Sequence, residues 1–124
     1  MKRDMDLVRK ILMACNDYEH GRAPARLEID GYSEEEIGYH AHFMAEAGLV
    51  RATDITHSGS ASPQAHIVSL MWEGHDFLEA SRNEGLWAKA KQAAGSTGGM
   101  VLGVLKSILI DLATQAAKKA AGLP

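Results

Sequence analysis

Apolar positions recur along this chain with two periods, and the switches between them mark out its elements. From residue 4 to about 19 the spacing is helical, with Val8, Ile11, Leu12 and Cys15 on one face and Met5 and Tyr18 extending it. Arg9 and Lys10 fall on the other side, where a solvated face is expected. Gly21 and Pro24 then end helical structure. Residues 26 to 29 alternate, Leu27 and Ile29 against Arg26 and Glu28, as a short extended segment does.

The clearest local instructions lie between residues 32 and 50. Ser33 with Glu36 three residues on forms a capping box, and Tyr32 and Ile37 stand at the positions of a hydrophobic staple. Ile37, His40, Ala41 and Met44 make the buried stripe, and Gly48 followed by Leu49 closes the helix. The period then changes to that of strands over residues 49–56 and 66–70, with the small polar run 57–64 between them as the tip of a two-stranded wing. Helical spacing returns from Trp72 to Arg82, with Phe77, Leu78 and Ser81 on one side following Trp72 or Gly74. It continues through Leu86, Trp87 and Ala90, and Asn83 offers a new cap, so one bent helix and two separate helices are both open. Three glycines within residues 95–99 suit a linker, and a last helix follows in which Val101, Val104, Leu105, Ile108 and Leu112 form a wide aliphatic face. Covering five such side chains is worth about 7–15 kcal/mol gross, so some surface is expected to meet them.

Three segments result: a domain over 1–94, a linker over 95–99 and an amphipathic helix over 100–124. The expected fold class is α+β, mostly α, with a winged-helix-like core, a two-stranded wing and an added C-terminal helix. One departure stands out. The turn between Ile29 and Ser33 leaves no room for the supporting helix that precedes a recognition helix.

Composition narrows the function classes. Apolar residues at 46% and charged residues at 23% are ordinary for a folded domain of 124 residues. The net charge of −3 is unevenly spread: residues 1–95 hold ten Lys/Arg against fifteen Asp/Glu, and residues 96–124 hold three against one. The single Cys15 excludes a disulfide framework within the chain, the charged opening is unlike a signal peptide, and the apolar run 100–112 falls short of the roughly 20 residues that cross a bilayer. A soluble cytoplasmic protein is the expectation.

No motif for chemistry assembles. His40 and His42 point about 200° apart on one helix and cannot share an ion, so no metal or cofactor is expected. A hydrogen-bonded role for His40 between two helices suits its buried position better. Ser58, Ser60 and Ser62 beside His57 lack the setting of a nucleophile, His75 and Asp76 diverge as helix neighbours, and the glycine run has no P-loop Lys. A non-enzymatic protein is therefore expected.

The residues Met1-Lys2-Arg3-Asp4-Met5-Asp6-Leu7-Val8-Arg9, the segment Glu36-Ile37-Gly38-Tyr39-His40 leading to Glu46-Ala47-Gly48-Leu49-Val50, and Leu70-Met71-Trp72-Glu73-Gly74-His75-Asp76-Phe77-Leu78 with Arg82 and Trp87 carry a likeness across residues 1 to 90. On them the chain resembles a small domain-of-unknown-function family of bacteria, phages and prophages, whose block usually has Thr where Met71 stands. The resemblance implies a winged-helix-like fold and transfers no catalytic residue.

Two functions remain. One is a protein-interaction or oligomerisation module, in which Val101, Val104, Leu105, Ile108 and Leu112 hold a second copy or another protein. The alternative is a DNA-binding winged-helix transcriptional regulator using Arg9, Lys10, Arg22, Arg26 and Arg51. Against the latter, the organising helix carries Glu34, Glu35, Glu36 and Glu46 and no Lys or Arg, the wrong sign for a phosphate backbone.

Overall fold

A computed structural model describes residues 1–24, 26–96 and 98–124. Among them the order is α1 (Met5–Asn16), a 3-10 turn (Glu19–Gly21), α2 (Glu34–Glu46), β1 (Val50–Asp54), β2 (Ala65–Leu70), α3 (Trp72–Ser81), α4 (Glu84–Gly95) and α5 (Leu102–Ala120). This is an α+β, mostly helical fold with one two-stranded antiparallel sheet, in an order consistent with a winged-helix-like arrangement. Between α1 and α2 the described residues form the 3-10 turn and no α-helix, so the supporting helix is absent or reduced, as the sequence implies. The chain divides into two compact units, Met1–Asp76 and Phe77–Pro124. The expected linker 95–99 includes Thr97, which lies outside the described residues, and Gly95 is the last residue of α4.

In the first unit, α2 forms as its local signals dictate. The Ser33 hydroxyl accepts from the Glu36 N–H at 3.1 Å, while the Glu36 carboxylate accepts from the Ser33 N–H at 2.9 Å. At the other end Gly48 has φ +78°, a conformation that only glycine adopts readily. The turn lets the Gly48 N–H reach the Ala45 carbonyl at 3.1 Å and the Leu49 N–H reach that of Met44 at 3.0 Å, closing the helix with two carbonyls of its last turn bonded. Ile37, His40, Ala41 and Met44 are all buried.

His40 does what its position suggested. Its Nε2 accepts from the Asp4 N–H at 2.9 Å and its Nδ1 lies 2.8 Å from the Glu36 carbonyl, so the neutral ring with hydrogen on Nδ1 satisfies both. Asp4 is in turn the N-cap of α1, accepting from the Leu7 N–H at 3.1 Å and from the Tyr32 hydroxyl at 2.9 Å. That hydrogen bond to a carboxylate pushes the Tyr32 phenol up to about 12, so the proton stays on Tyr32. The start of α1 is thus tied to α2 and to the turn before it.

Two expectations change here, and one open choice is resolved. Helix α1 stops at Asn16, so Tyr18 leaves the apolar face and is 51% exposed. No strand forms over residues 26–29; instead the Ala23 N–H donates to the Val68 carbonyl at 2.9 Å, and Pro24, lacking an N–H, cannot extend the ladder. Of the two residues open as the start of the inward face of α3, the structure selects Gly74, which is buried, while Trp72 is 81% exposed.

The hairpin matches its expected place. Val50 pairs with Leu70 and Asp54 with Ala65, with a bulge between Arg51 and Ala52. Ala65 and Ile67 point inward and His66 and Val68 outward, the alternation of a half-buried strand. The tip is bound back to α2: Gln64 Nε2 donates to the Glu35 carbonyl at 3.0 Å and the Ser62 hydroxyl to the Glu35 carboxylate at 3.1 Å.

Cys15 is buried, and burial raises its thiol from 9.0 to about 11. The unfolded chain releases that proton first, so stability present below pH 9 is expected to fall as pH rises toward 11. At neutral pH the native thiol should react with a disulfide reagent only at the rate of opening, and labelling as fast as in denaturant would contradict this.

In the second unit two helices replace the ambiguous stretch, because Asn83 caps α4 by accepting from the Leu86 N–H at 3.0 Å. Phe77 and Trp87 meet edge to face at 6.0 Å, and the buried Ser81 hydroxyl donates to the Leu78 carbonyl at 3.0 Å. Helix α4 buries Trp87, Ala90 and Ala94, and α5, packed against it, buries Leu105 and Leu109. The two alanines permit a close approach between the helices.

Candidate functional site

The cationic residues named for nucleic acid are in unlike surroundings. Arg9 is only 7% exposed, which overturns its solvated reading: α1 also buries Leu7 and Val8 and is covered over most of its circumference. Lys10 is exposed with its Nζ 5.5 Å from the centre of the Tyr32 ring. Arg26 is held by Glu34 at 3.0 Å. Arg22 and Arg51 are exposed.

The five aliphatic residues at the N-cap and along α5 also divide. Leu105 is fully buried, Ile108 and Leu112 are half-buried, and Val101, at the N-cap, and Val104 are 55% and 45% exposed. The inward face is turned toward Leu105 and Leu109, and Leu109 was not among the predicted set. Leu105 is therefore a core residue. Val104 and Ile108 remain as an outward pair at i, i+4, with Val101 at the N-cap before them.

A second surface was missed in the sequence. The outward side of α2 carries Glu35, Tyr39, His42, Phe43 and Glu46, each at least partly exposed. Tyr39 and Phe43, four residues apart, bring their ring centres to 5.0 Å, and Phe43 meets His42 at 4.8 Å. His42 sits between two carboxylates, with Nε2 3.5 Å from Asp54 on β1 and Nδ1 3.8 Å from Glu46. That Nδ1 is buried and has no hydrogen-bond partner among the described residues. Hydrogen bonding from Thr56, its hydroxyl first and its backbone N–H second, holds the Asp54 carboxyl below its ordinary value, so Asp54 is ionised. His42, Ala45, Glu46, Ala52, Asp54 and Ala65 line an open depression of about 290 Å³. Among the described residues no group of three or more His, Cys, Asp or Glu is placed to hold a metal ion. The legible signal would have been an aromatic pair at i, i+4 on the polar side of an otherwise acidic helix.

Comparison with known proteins adds a family. A family model described as "Hypothetical protein (DUF2513)" matches residues 2–100. A protein of Haemophilus influenzae (strain ATCC 51907 / DSM 11121 / KW20 / Rd), described as uncharacterized, is 30% identical over 122 residues, which are 98% of this chain and 92% of that one. No solved structure matches. The likeness carried by the opening and the Trp72–Leu78 block is thus borne out at the level of family, and the family match ends just before α5.

Proposed function

The chain belongs to the DUF2513 family, and from the character of its surfaces we propose that it is a non-enzymatic protein-interaction module of bacterial or phage origin that pairs with a second copy through α5. The carrying observation is an outward apolar set, Val101 at the N-cap of α5 and Val104 on it, 55% and 45% exposed, beside half-buried Ile108, on a helix whose Leu105 and Leu109 are already buried. A helix held from one side and apolar on another is suited to a symmetric contact, in which the same set meets itself across a two-fold axis. No helix among the described residues is long and apolar enough to cross a membrane.

DNA binding draws less support. Of the five cationic side chains offered for it, Arg9 is buried and Arg26 is paired with Glu34, and α2 presents carboxylates where a recognition helix presents donors.

Sedimentation of the full chain tests the pairing. Val101→Lys with Val104→Lys places charge on exposed positions and leaves Leu105 and Leu109 untouched. A dimer that becomes a monomer, with self-affinity roughly 100-fold weaker and the circular dichroism unchanged, is the expected result. A native chain that is monomeric at the highest concentration reached, or a dimer indifferent to both lysines, overturns it.

A further inference from the structure

We propose that the outward face of α2 docks an arginine-bearing segment of another protein, its guanidinium entering the depression between Glu46 and Asp54 and a neighbouring apolar side chain covering Tyr39 and Phe43. Four observations fit together. First, the charge is one-sided: the unit Met1–Asp76 has seven Lys/Arg against thirteen Asp/Glu, a net −6, and α2 itself has neither Lys nor Arg. Second, Glu46 and Asp54 reach the same imidazole from its two nitrogens, at 3.8 and 3.5 Å, and Asp54 is kept ionised by Thr56. Among the described residues neither carboxylate, nor that of Glu35, has a Lys or Arg partner.

Third, His42, whose Nδ1 lacks a hydrogen-bond partner among the described residues, lines the depression together with both carboxylates. Fourth, Tyr39 and Phe43 stand beside this acidic hollow, and Phe43 is 40% exposed. Large aromatic rings at the centre of a charged rim are the composition of an interaction hot spot.

The chemistry selects arginine. A guanidinium is planar, donates from a fork to a carboxylate and stacks on aromatic faces, whereas an ammonium is a strongly hydrated point charge. Cation–π contact with Tyr39 or Phe43 adds to the carboxylate bonds. Nucleic acid is disfavoured at this face by sign, since its phosphates would meet Glu46 and Asp54. This docking face is on the first unit and does not depend on pairing through α5.

Titration calorimetry of the full chain tests the proposal, with two short amidated helical peptides as probes, one carrying Arg and Leu on one face and the other Lys in place of each Arg. The Arg peptide is expected to bind saturably at one site per chain and roughly fivefold more tightly than the Lys peptide. Phe43→Ala and Asp54→Asn should each weaken it roughly tenfold, while Glu28→Gln, an exposed carboxylate elsewhere on the same unit, changes it less than about twofold. Glu46→Gln gives the same reading without touching an aromatic ring, should Phe43→Ala fail to fold. Absence of saturable binding, equal affinity for the Lys peptide, or equal weakening by Glu28→Gln would overturn the proposal, because each reduces the effect to general charge.

Discussion

Replacing Gly74 by alanine is expected to lower the stability of the native chain by about 3 kcal/mol, more than any surface change. A Cβ added there would collide with the Leu49 carbonyl oxygen and lie 3.0 Å from its carbon and 3.4 Å from Leu12 Cδ2. That carbonyl is backbone and is already in use, accepting from the Met71 N–H at 2.9 Å where β2 passes into α3. It also belongs to the residue that follows Gly48 in the closing turn of α2. Room for a methyl group therefore requires α3 to move off the junction of three elements. The higher helix propensity of alanine, worth roughly 1 kcal/mol, offsets only part of this. Gly38→Ala is the informative contrast. Its Cβ would also meet an obstacle, but the obstacle is Oε1 at the end of the flexible Gln64 side chain. Gly38→Ala should cost about 1 kcal/mol or less, chiefly the tie between Gln64 and the Glu35 carbonyl, and Gln64→Ala in the same chain should abolish the difference. Urea midpoints at constant slope measure all three variants. A Gly74→Ala chain as stable as the native one would mean that α3 does not rest on the Leu49 carbonyl.

That close approach was not legible in the sequence, for a physical reason. A buried glycine contributes no side chain to an apolar pattern, so the spacing alone leaves Trp72 and Gly74 as alternative starts of the inward face, and only the packing shows that Trp72 is the most exposed large side chain of the helix. The elements that were legible are those whose information is local. Ser33 with Glu36 and Gly48 with Leu49 name both ends of α2, and the change of period around residues 57–64 names the hairpin. Arg9 was misplaced because α1 is buried on more than one side, so a polar residue between apolar neighbours need not mark a solvated face. The acidic hollow was legible in half. His42 and Glu46 are four residues apart on a helix, but Asp54 joins them only through the packing of α2 on β1.

For the second unit, Leu109→Ala is expected to destabilise by about 3 kcal/mol, while Val104→Ala costs about 0.5 kcal/mol or less. Leu109 has no exposed surface, and α4 turns the buried Trp87, Ala90 and Ala94 toward the helix that carries it. Small buried residues on the neighbouring helix offer little side chain to collapse into the space its loss would create, so most of the cavity term should persist. The sequence could not choose this face. Val101, Leu102, Val104, Leu105, Ile108, Leu109, Ile110 and Leu112 cover so much of α5 that several phases bury comparable area, and the partner helix decides among them. Denaturation followed by fluorescence separates the possibilities, because Trp87 is 2% exposed and Trp72 81% exposed, and a Trp72→Phe background leaves the signal of Trp87 alone. In that background Leu109→Ala should shift the emission of native Trp87 to the red as well as lower the midpoint. The opposite ranking, a costly Val104→Ala beside a neutral Leu109→Ala, would place the outward set inside the unit and remove the surface on which pairing through α5 depends.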